Sequence, residues 1–385
     1  LRDIPDASVQ CCVTSPPYYG LRDYGHEGQI GLEETPAQYV EQMVEVFREV
    51  RRVLRDDGTL WLNLGDSYAG SGRGPEGNMN KGLSFRQIPG STQSTPLGFK
   101  PKDLIGIPWR VAFALQADGW YLRSDIIWSK NVVMPESVRD RPTRAHEYIF
   151  LFTKNNQYFY DHEAVKEPAV SVSHNRTQPE DKGARDPALD SERVHGSDGK
   201  RNRRSVWTIN PKPYKGAHFA VFPEEIPEVC IRAGTSEYGA CAKCGAPYER
   251  VVERQGGPQG DHTKNHNLDW DDGADDAVRA TGRSGRAAGT VLSSRYAEHG
   301  YPTYETKGWE TYCKCEAAPP VPCIVLDPFS GSGTTLAVAK YLRRDYLGVE
   351  LNPEYHKLIE ERLRPAEEME AARQGFDAML ELEQE

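Results

Sequence analysis

Two stretches of this chain set reactive residue types at spacings that chemistry can use. The first is Asp327-Pro328-Phe329-Ser330-Gly331-Ser332-Gly333-Thr334-Thr335. Glycines there let the backbone approach a ligand closely, and a helix opening behind them supplies free N–H groups. The run lacks the lysine of a phosphate-binding loop, which argues against nucleoside triphosphates. Glu350 follows about 20 residues on, where an acidic side chain can accept both ribose hydroxyls of an adenosine-containing cofactor. The same carboxylate can instead serve the N-terminus of the helix that Asn352-Pro353 begins.

The second stretch is built on sulfur. Cys241-x-x-Cys244 and Cys313-x-Cys315 can place four thiolates on one tetrahedral zinc. Gly245-Ala246 follows the first pair, where a glycine lets backbone amides turn toward sulfur. Four thiolates leave no open coordination position, so such a metal would be structural. The alternative is a set of reduced, unligated cysteines. His262, His266 and His299 lie between the pairs without ligand spacing. Cys11 and Cys12 sit in an apolar run, and Cys230 and Cys323 are isolated among apolar neighbours. That distribution suits a reducing compartment, not a secreted disulfide framework.

The elements that position these groups follow a βαβ grammar. Val9 to Thr14 reads as a buried strand that ends at Ser15-Pro16-Pro17-Tyr18. Thr35 can cap a helix, with Pro36 in its first turn and Gln38 completing a capping box. Tyr39, Met43, Val46, Phe47, Val50 and Leu54 mark its apolar face, and Asp57-Gly58 is expected to end it. Thr59 to Leu64 is the next strand, Pro108 to Asp118 a helix, and Tyr121 to Trp128 and Tyr148 to Thr153 further strands. Ile324 to Leu326 and Tyr346 to Val349 are strands on either side of a helix from Leu336 to Leu342, and Pro353 to Leu363 is a last helix of this part. Asp66 to Pro101 is predicted to be a long mobile loop, and Glu163 to Ser205 a variable or partly disordered module.

At 385 residues the chain suits one large α/β domain with an insertion, or two domains. Its expected segments are residues 1–162, 163–210, 211–238, a zinc-binding insertion over 239–320, 321–364 and an acidic helix over 365–385. No apolar run is long enough to span a bilayer, and no signal peptide is expected. Leu1 already lies inside a motif-like stretch, so residues are expected before it. The net charge of −10 has the wrong sign for a protein that coats nucleic acid nonspecifically. Local basic patches exist at Arg139, Arg141 and Arg144, and at Lys200, Arg201, Arg203 and Arg204. Each reads equally as a phosphate contact or a solvated face.

Asp327 to Thr335 resembles the S-adenosylmethionine motif of the DNA amino-methyltransferases, and Ser15 to Tyr18 resembles their catalytic motif. The catalytic motif precedes the cofactor motif, an order similar to the β group of that family. The resemblance covers Leu1 to about Lys154 and about Ala217 to Arg364, apart from the cysteine segment. It implies a circularly permuted Rossmann-like methyltransferase sheet with helices on both faces, with residues 1–162 as a catalytic half, 163–210 as a target-recognition or variable segment, 211–238 as a cofactor-contacting segment and 321–364 as the cofactor-binding half. It implies S-adenosylmethionine held by Asp327, Pro328, Phe329, Gly331, Gly333, Thr334 and Glu350. Phe219, in His218-Phe219-Ala220-Val221-Phe222-Pro223, is a further candidate contact on the same ground.

The implied chemistry explains the residue types. An exocyclic amine is a poor nucleophile because its lone pair is delocalised into the ring. As methyl moves from sulfur to nitrogen, the nitrogen pyramidalises and gains positive charge. Ser15 Oγ and the Pro16 carbonyl can accept the amine hydrogens, with Pro16 and Pro17 fixing the backbone. Tyr18 can stack on a base flipped from the duplex. In the family, Ser-Pro-Pro-Tyr is found mostly in enzymes acting on N4 of cytosine, and Asp-Pro-Pro-Tyr is more typical for N6 of adenine. The expectation is a site-specific cytosine-N4 DNA methyltransferase of a bacterial, archaeal or phage-encoded cytoplasmic system. Its partner is double-stranded DNA, and a separate cognate restriction endonuclease can accompany it. N6-adenine methylation, a silent DNA-binding protein of the same fold and RNA or protein methylation remain open. The recognition sequence and oligomeric state stay open too.

Overall fold

The protein is described by a computed structural model. It describes residues 1–21, 24–69, 96, 98–133, 135–168, 170–171, 193–194, 200–211, 222–255 and 303–364.

The first strand, β1 (Val9–Thr14), is buried along its whole length. The helix α1 (Pro36–Val53) starts as its sequence requires: Thr35 Oγ1 accepts from Gln38 N at 3.3 Å, and Gln38 Oε1 accepts from Thr35 N at 3.0 Å. Such a cap contributes about 1 kcal/mol. Pro36, Tyr39, Met43, Phe47, Val50 and Val53 form its buried face, whereas Val46 is only half-buried. The helix ends at Val53, earlier than Asp57-Gly58 suggested. The strand β2 (Leu54–Leu64) begins at once. The reason is pairing: Val9 lies opposite Leu54, and a bulge then brings Cys11 opposite Thr59. Gly58 fits that bulge because a Cβ there would stand 2.9 Å from the Gln10 carbonyl oxygen.

The remaining elements of the main sheet are α2 (Ile107–Ala117), β3 (Tyr121–Ser129), β4 (His146–Thr153), β5 (Val206–Thr208), α3 (Glu225–Gly234), β6 (Ile324–Asp327), α4 (Thr334–Tyr341) and β7 (Asp345–Gly348). A helix over residues 353–364 follows. The seven strands run in the order β7-β6-β1-β2-β4-β3-β5. β4 is antiparallel to both neighbours, and the other pairings are parallel.

Period-two alternation divides the core into two layers. Cys12, Leu60, Leu62, Phe150, Phe152 and Leu326 pack with α1 and α2. Cys11, Val13, Trp61, Ile149, Leu151 and Val325 pack with α3 and α4. Helices therefore cover both faces of the sheet. The connection β1–α1–β2 lies on one face and β6–α4–β7 on the other, so chain order reverses between β1 and β6. Open parallel sheets bind ligands at the carboxyl ends of the strands beside such a reversal.

The chain divides into two compact units. One holds the main sheet and comprises Leu1–Val165, Arg204–Glu249 and Thr311–Glu385. The other comprises Lys166–Arg203 and Arg250–Glu310. Within it, Arg250 stacks over Trp309 at 4.4 Å, and short ribbons pair Glu167–Pro168 with Lys200–Arg201 and Val170–Ser171 with Arg193–Val194. Most of the expected long loop (70–95 and 97), much of 163–205, residues 256–302 and the acidic C-terminal segment 365–385 lie outside the described residues. Among the described residues, no helix is long and apolar enough to cross a membrane.

Candidate active site

The carboxyl ends of β1 and β6 meet through side chains. Thr14 Oγ1 donates to Asp327 Oδ1 at 2.6 Å, and Phe329 N donates to the same oxygen at 3.1 Å. Asp327 is buried, and burial pushes its carboxyl up to about 6 against the opposing pull of the Thr14 hydrogen bond. The Gly-rich turn wraps around this carboxylate. Ser330 Oγ donates to the Asp327 carbonyl at 3.0 Å, and Thr335 Oγ1 donates to the Val13 carbonyl at 3.2 Å. Gly333 has φ +79° and caps α4, a conformation that favours glycine. Pro328, Gly333 and Thr334 are buried, and Phe329 and Gly331 half-buried.

Glu350 closes the turn. Its Oε2 accepts from Gly331 N at 2.8 Å and its Oε1 from Asn352 N at 2.8 Å. The carboxylate thus faces the Gly-rich turn, and it caps the following chain as the helix N-terminal reading expects. Gly331 N–H is thereby engaged by Glu350. Phe219 lies outside the described residues.

Ser15 to Tyr18 continues from β1. Pro16 is buried, and the Pro17 carbonyl accepts from Tyr39 Oη at 2.8 Å. Tyr18 folds back under the motif. Its hydroxyl donates to Glu147 Oε2 at 2.7 Å and lies 3.0 Å from Asn63 Oδ1. Ser15 Oγ lies 3.2 Å from the same amide oxygen and 3.3 Å from Tyr18 Oη. Asn63 Nδ2 donates to the Tyr148 carbonyl at 3.0 Å, which fixes the amide. The Lys130 ammonium pairs with Glu147 Oε1 and sits 3.9 Å from the Trp128 ring centroid. Burial, then the Glu147 charge, push the Tyr18 phenol well above its ordinary range. A Cβ on Gly65 would stand 2.4 Å from the Tyr18 ring, so the ring lies directly on the backbone after β2.

Sequence reasoning missed Thr14, Asn63, Gly65, Lys130 and Glu147. Two of them carried a signal. Asn63 is the only amide in the run from Thr59 to Leu64, near the carboxyl end of its strand, and Glu147 is a charge at the start of an apolar strand. Of the basic patches, Arg141 pairs with Glu136 at 2.6 Å and stacks on Tyr68, and Arg201 pairs with Glu167 at 2.9 Å.

The cysteines also converge. The sulfurs of Cys241, Cys244, Cys313 and Cys315 all lie within 4.8 Å of one another. Gly245, at φ +71°, turns the first pair, and its N–H donates to the Cys241 carbonyl at 2.7 Å. Ala240 and Val321 exchange backbone hydrogen bonds of 2.7 and 2.9 Å, which bring the two pairs together. The sheet holds this knuckle: Gln10 Nε2 donates to the Gly245 carbonyl at 2.9 Å, and Arg55 donates to the Cys244 carbonyl.

Comparison with known proteins adds a family. The family model described as DNA methylase matches residues 9–242 and 322–361. The Type II methyltransferase M.SmaI of Serratia marcescens is 41% identical over 355 residues, 92% of this chain and 83% of the relative. The Type II methyltransferase M.XycI of Xanthomonas campestris pv. cyanopsidis is 40% identical over 368 residues, 94% of this chain and 84% of the relative. The solved PvuII DNA methyltransferase (cytosine-N4-specific) superposes with a TM-score of 0.48 at 16% identity, covering 94% of this chain and 81% of that one.

Proposed function

The chain belongs to the N6/N4 DNA methylase family, and from that membership we propose that it methylates the exocyclic N4 of cytosine in double-stranded DNA, with S-adenosylmethionine as donor. The observation that carries the reading is the hydrogen bond joining the Ser15 end of β1 to the Asp327 end of β6. It ties Ser15, the proposed acceptor for an amine, to the start of the Gly-rich turn, which supports the reading.

Bound S-adenosylmethionine supplies an electrophilic methyl group on a sulfonium sulfur. The residues around Asp327 fit it. Phe329 is half-buried beside the turn, and each Glu350 oxygen, already accepting one N–H, keeps a lone pair for a ribose hydroxyl. Asp327, Pro328, Phe329, Gly331, Gly333, Thr334 and Glu350 are the proposed cofactor residues, with Phe219 a further one. Ser15 Oγ and the Pro16 carbonyl accept the amine hydrogens and hold the nitrogen in line, Pro17 stiffens the turn, and Tyr18 receives the extruded base. Serine at the head of the motif favours cytosine over adenine. The Type II designation of both relatives supports a restriction–modification role, with a separate endonuclease that cuts the same sequence.

Cys241, Cys244, Cys313 and Cys315 are proposed to hold a structural zinc. A zinc–sulfur bond of about 2.3 Å gives a tetrahedral edge of roughly 3.8 Å, which the sulfur separations accommodate. All four cysteines are free of disulfides.

The deciding experiment expresses the protein in a methylation-free host and reads the DNA by single-molecule sequencing. N4-methylcytosine in a fixed context is expected. N6-methyladenine in a fixed context would move the target to adenine, and unmodified DNA would overturn the reading.

A further inference from the structure

Methylation of an amine leaves a proton to dispose of, because the product nitrogen is cationic until it loses one hydrogen. Ser15 is the acceptor nearest that hydrogen on the reading above, and a serine hydroxyl is too weak a base to keep it. The structure supplies an outlet. Ser15 Oγ lies 3.3 Å from Tyr18 Oη, which donates to Glu147 Oε2 at 2.7 Å. Asn63 Oδ1 also lies within reach of both hydroxyls, at 3.2 and 3.0 Å. An amide oxygen orients hydroxyls but does not take a proton near neutral pH. Glu147 is the base in the network, and its side chain is 18% exposed. Lys130 on its other oxygen compensates its charge.

We propose that Glu147 is a positioning residue that drains the amine proton through Ser15 and Tyr18. The inference rests on the amino-methyltransferase reading. The nitrogen lone pair forms the new N–C bond, and the S–C pair stays on sulfur as a neutral thioether. The cationic nitrogen then gives a proton to Ser15 Oγ and keeps the N–H electron pair. Ser15 passes its own proton to Tyr18 Oη, and Tyr18 passes its own to Glu147 Oε2. The sulfonium charge and the carboxylate charge both vanish, so the balance closes. Tyr18, held protonated by burial, relays and does not store. The carboxyl returns its proton to water once product leaves.

The test is single-turnover methyl transfer to DNA, with cofactor and DNA affinities and melting curves in parallel. Glu147→Gln should bind both ligands as the parent does and lose about 10²-fold in rate, the scale of a lost proton acceptor. Glu147→Ala should lose as much, and added formate should restore about tenfold, because a small carboxylate can stand where the side chain ended. Formate should restore nothing in the Glu147→Ala, Tyr18→Phe double variant, whose relay is cut. A purely structural Glu147 predicts no rescue by formate. A parent rate in Glu147→Gln, a Glu147→Ala protein that melts like the parent yet gains nothing from formate, or rescue persisting in the double variant would each overturn the relay. A parent protein that transfers no methyl group to DNA would instead overturn the function, and the relay with it.

Discussion

Thr14 Oγ1 and Asp327 Oδ1, 2.6 Å apart and 313 residues apart in sequence, join the strand that ends in Ser15 to the strand that opens the Gly-rich turn. Both residues are buried, so no water competes for the bond. The two strands are also paired directly, Cys12 opposite Leu326, and the Thr14–Asp327 bond ties their ends together diagonally, just beyond the ladder.

Thr14→Val keeps shape and removes the donor. It should destabilise the fold by about 1–3 kcal/mol, because the Asp327 carboxylate loses its shortest partner in a dry site. Cofactor affinity should fall with it, since Asp327 fixes the turn through Phe329 N. Urea denaturation and titration calorimetry read the two effects. Parent values in both would show that the bond organises nothing.

Asp327 should leave a signature in the pH dependence of stability. Its folded value is raised from 3.8 to about 6, so between those values the folded protein keeps a proton that the unfolded chain has lost. The resulting stabilisation is fully present below 3.8 and disappears as pH rises through about 6. Its size is on the order of 3 kcal/mol. Asp327→Asn cannot titrate there. Relative to that variant, the parent should lose stability between pH 4 and 7, and urea midpoints across that range measure it. Parallel profiles would mean that Asp327 titrates normally.

Gly65→Ala should damage catalysis without touching the proposed cofactor site. The new Cβ would overlap the Tyr18 ring, which must then leave its place beside Glu147 and Asn63. Single-turnover methyl transfer is expected to fall by about tenfold or more, consistent with 1–3 kcal/mol for a displaced hydrogen-bonded group. S-adenosylmethionine affinity should stay at the parent value. An unchanged rate would mean that the position of the Tyr18 ring is immaterial.

Protein purified without chelators should carry about one zinc per chain, since a site of four thiolates holds a single ion. Cys241→Ser should reduce the metal content and lower the melting temperature, because the knuckle is tied to β1 through Gln10 and to β2 through Arg55. Elemental analysis that finds no metal would leave four reduced thiols in its place.

Local sequence determined whatever depends on neighbours in the chain. The strand from Val9 to Thr14, the Thr35–Gln38 capping box, the Gly-rich turn from Asp327 and the close cysteine pairs could all be read directly, because hydrophobic runs, caps and turns act over a few residues. Asp57-Gly58 misled for the complementary reason: it resembles a helix stop, but pairing with β1 had already turned the chain into strand at Leu54. Tertiary structure alone decided the partners of the Ser15–Tyr18 motif. Asn63 comes from β2, Lys130 follows β3 and Glu147 comes from β4, and nothing within a few residues of Tyr18 signals a carboxylate 129 positions away. It also decided that the two cysteine pairs meet, through the Ala240–Val321 bridge, and that Glu350 serves both the turn and the following helix. Side chains distant in sequence become neighbours only when the sheet sets its strand order, and that order is a property of the whole buried core.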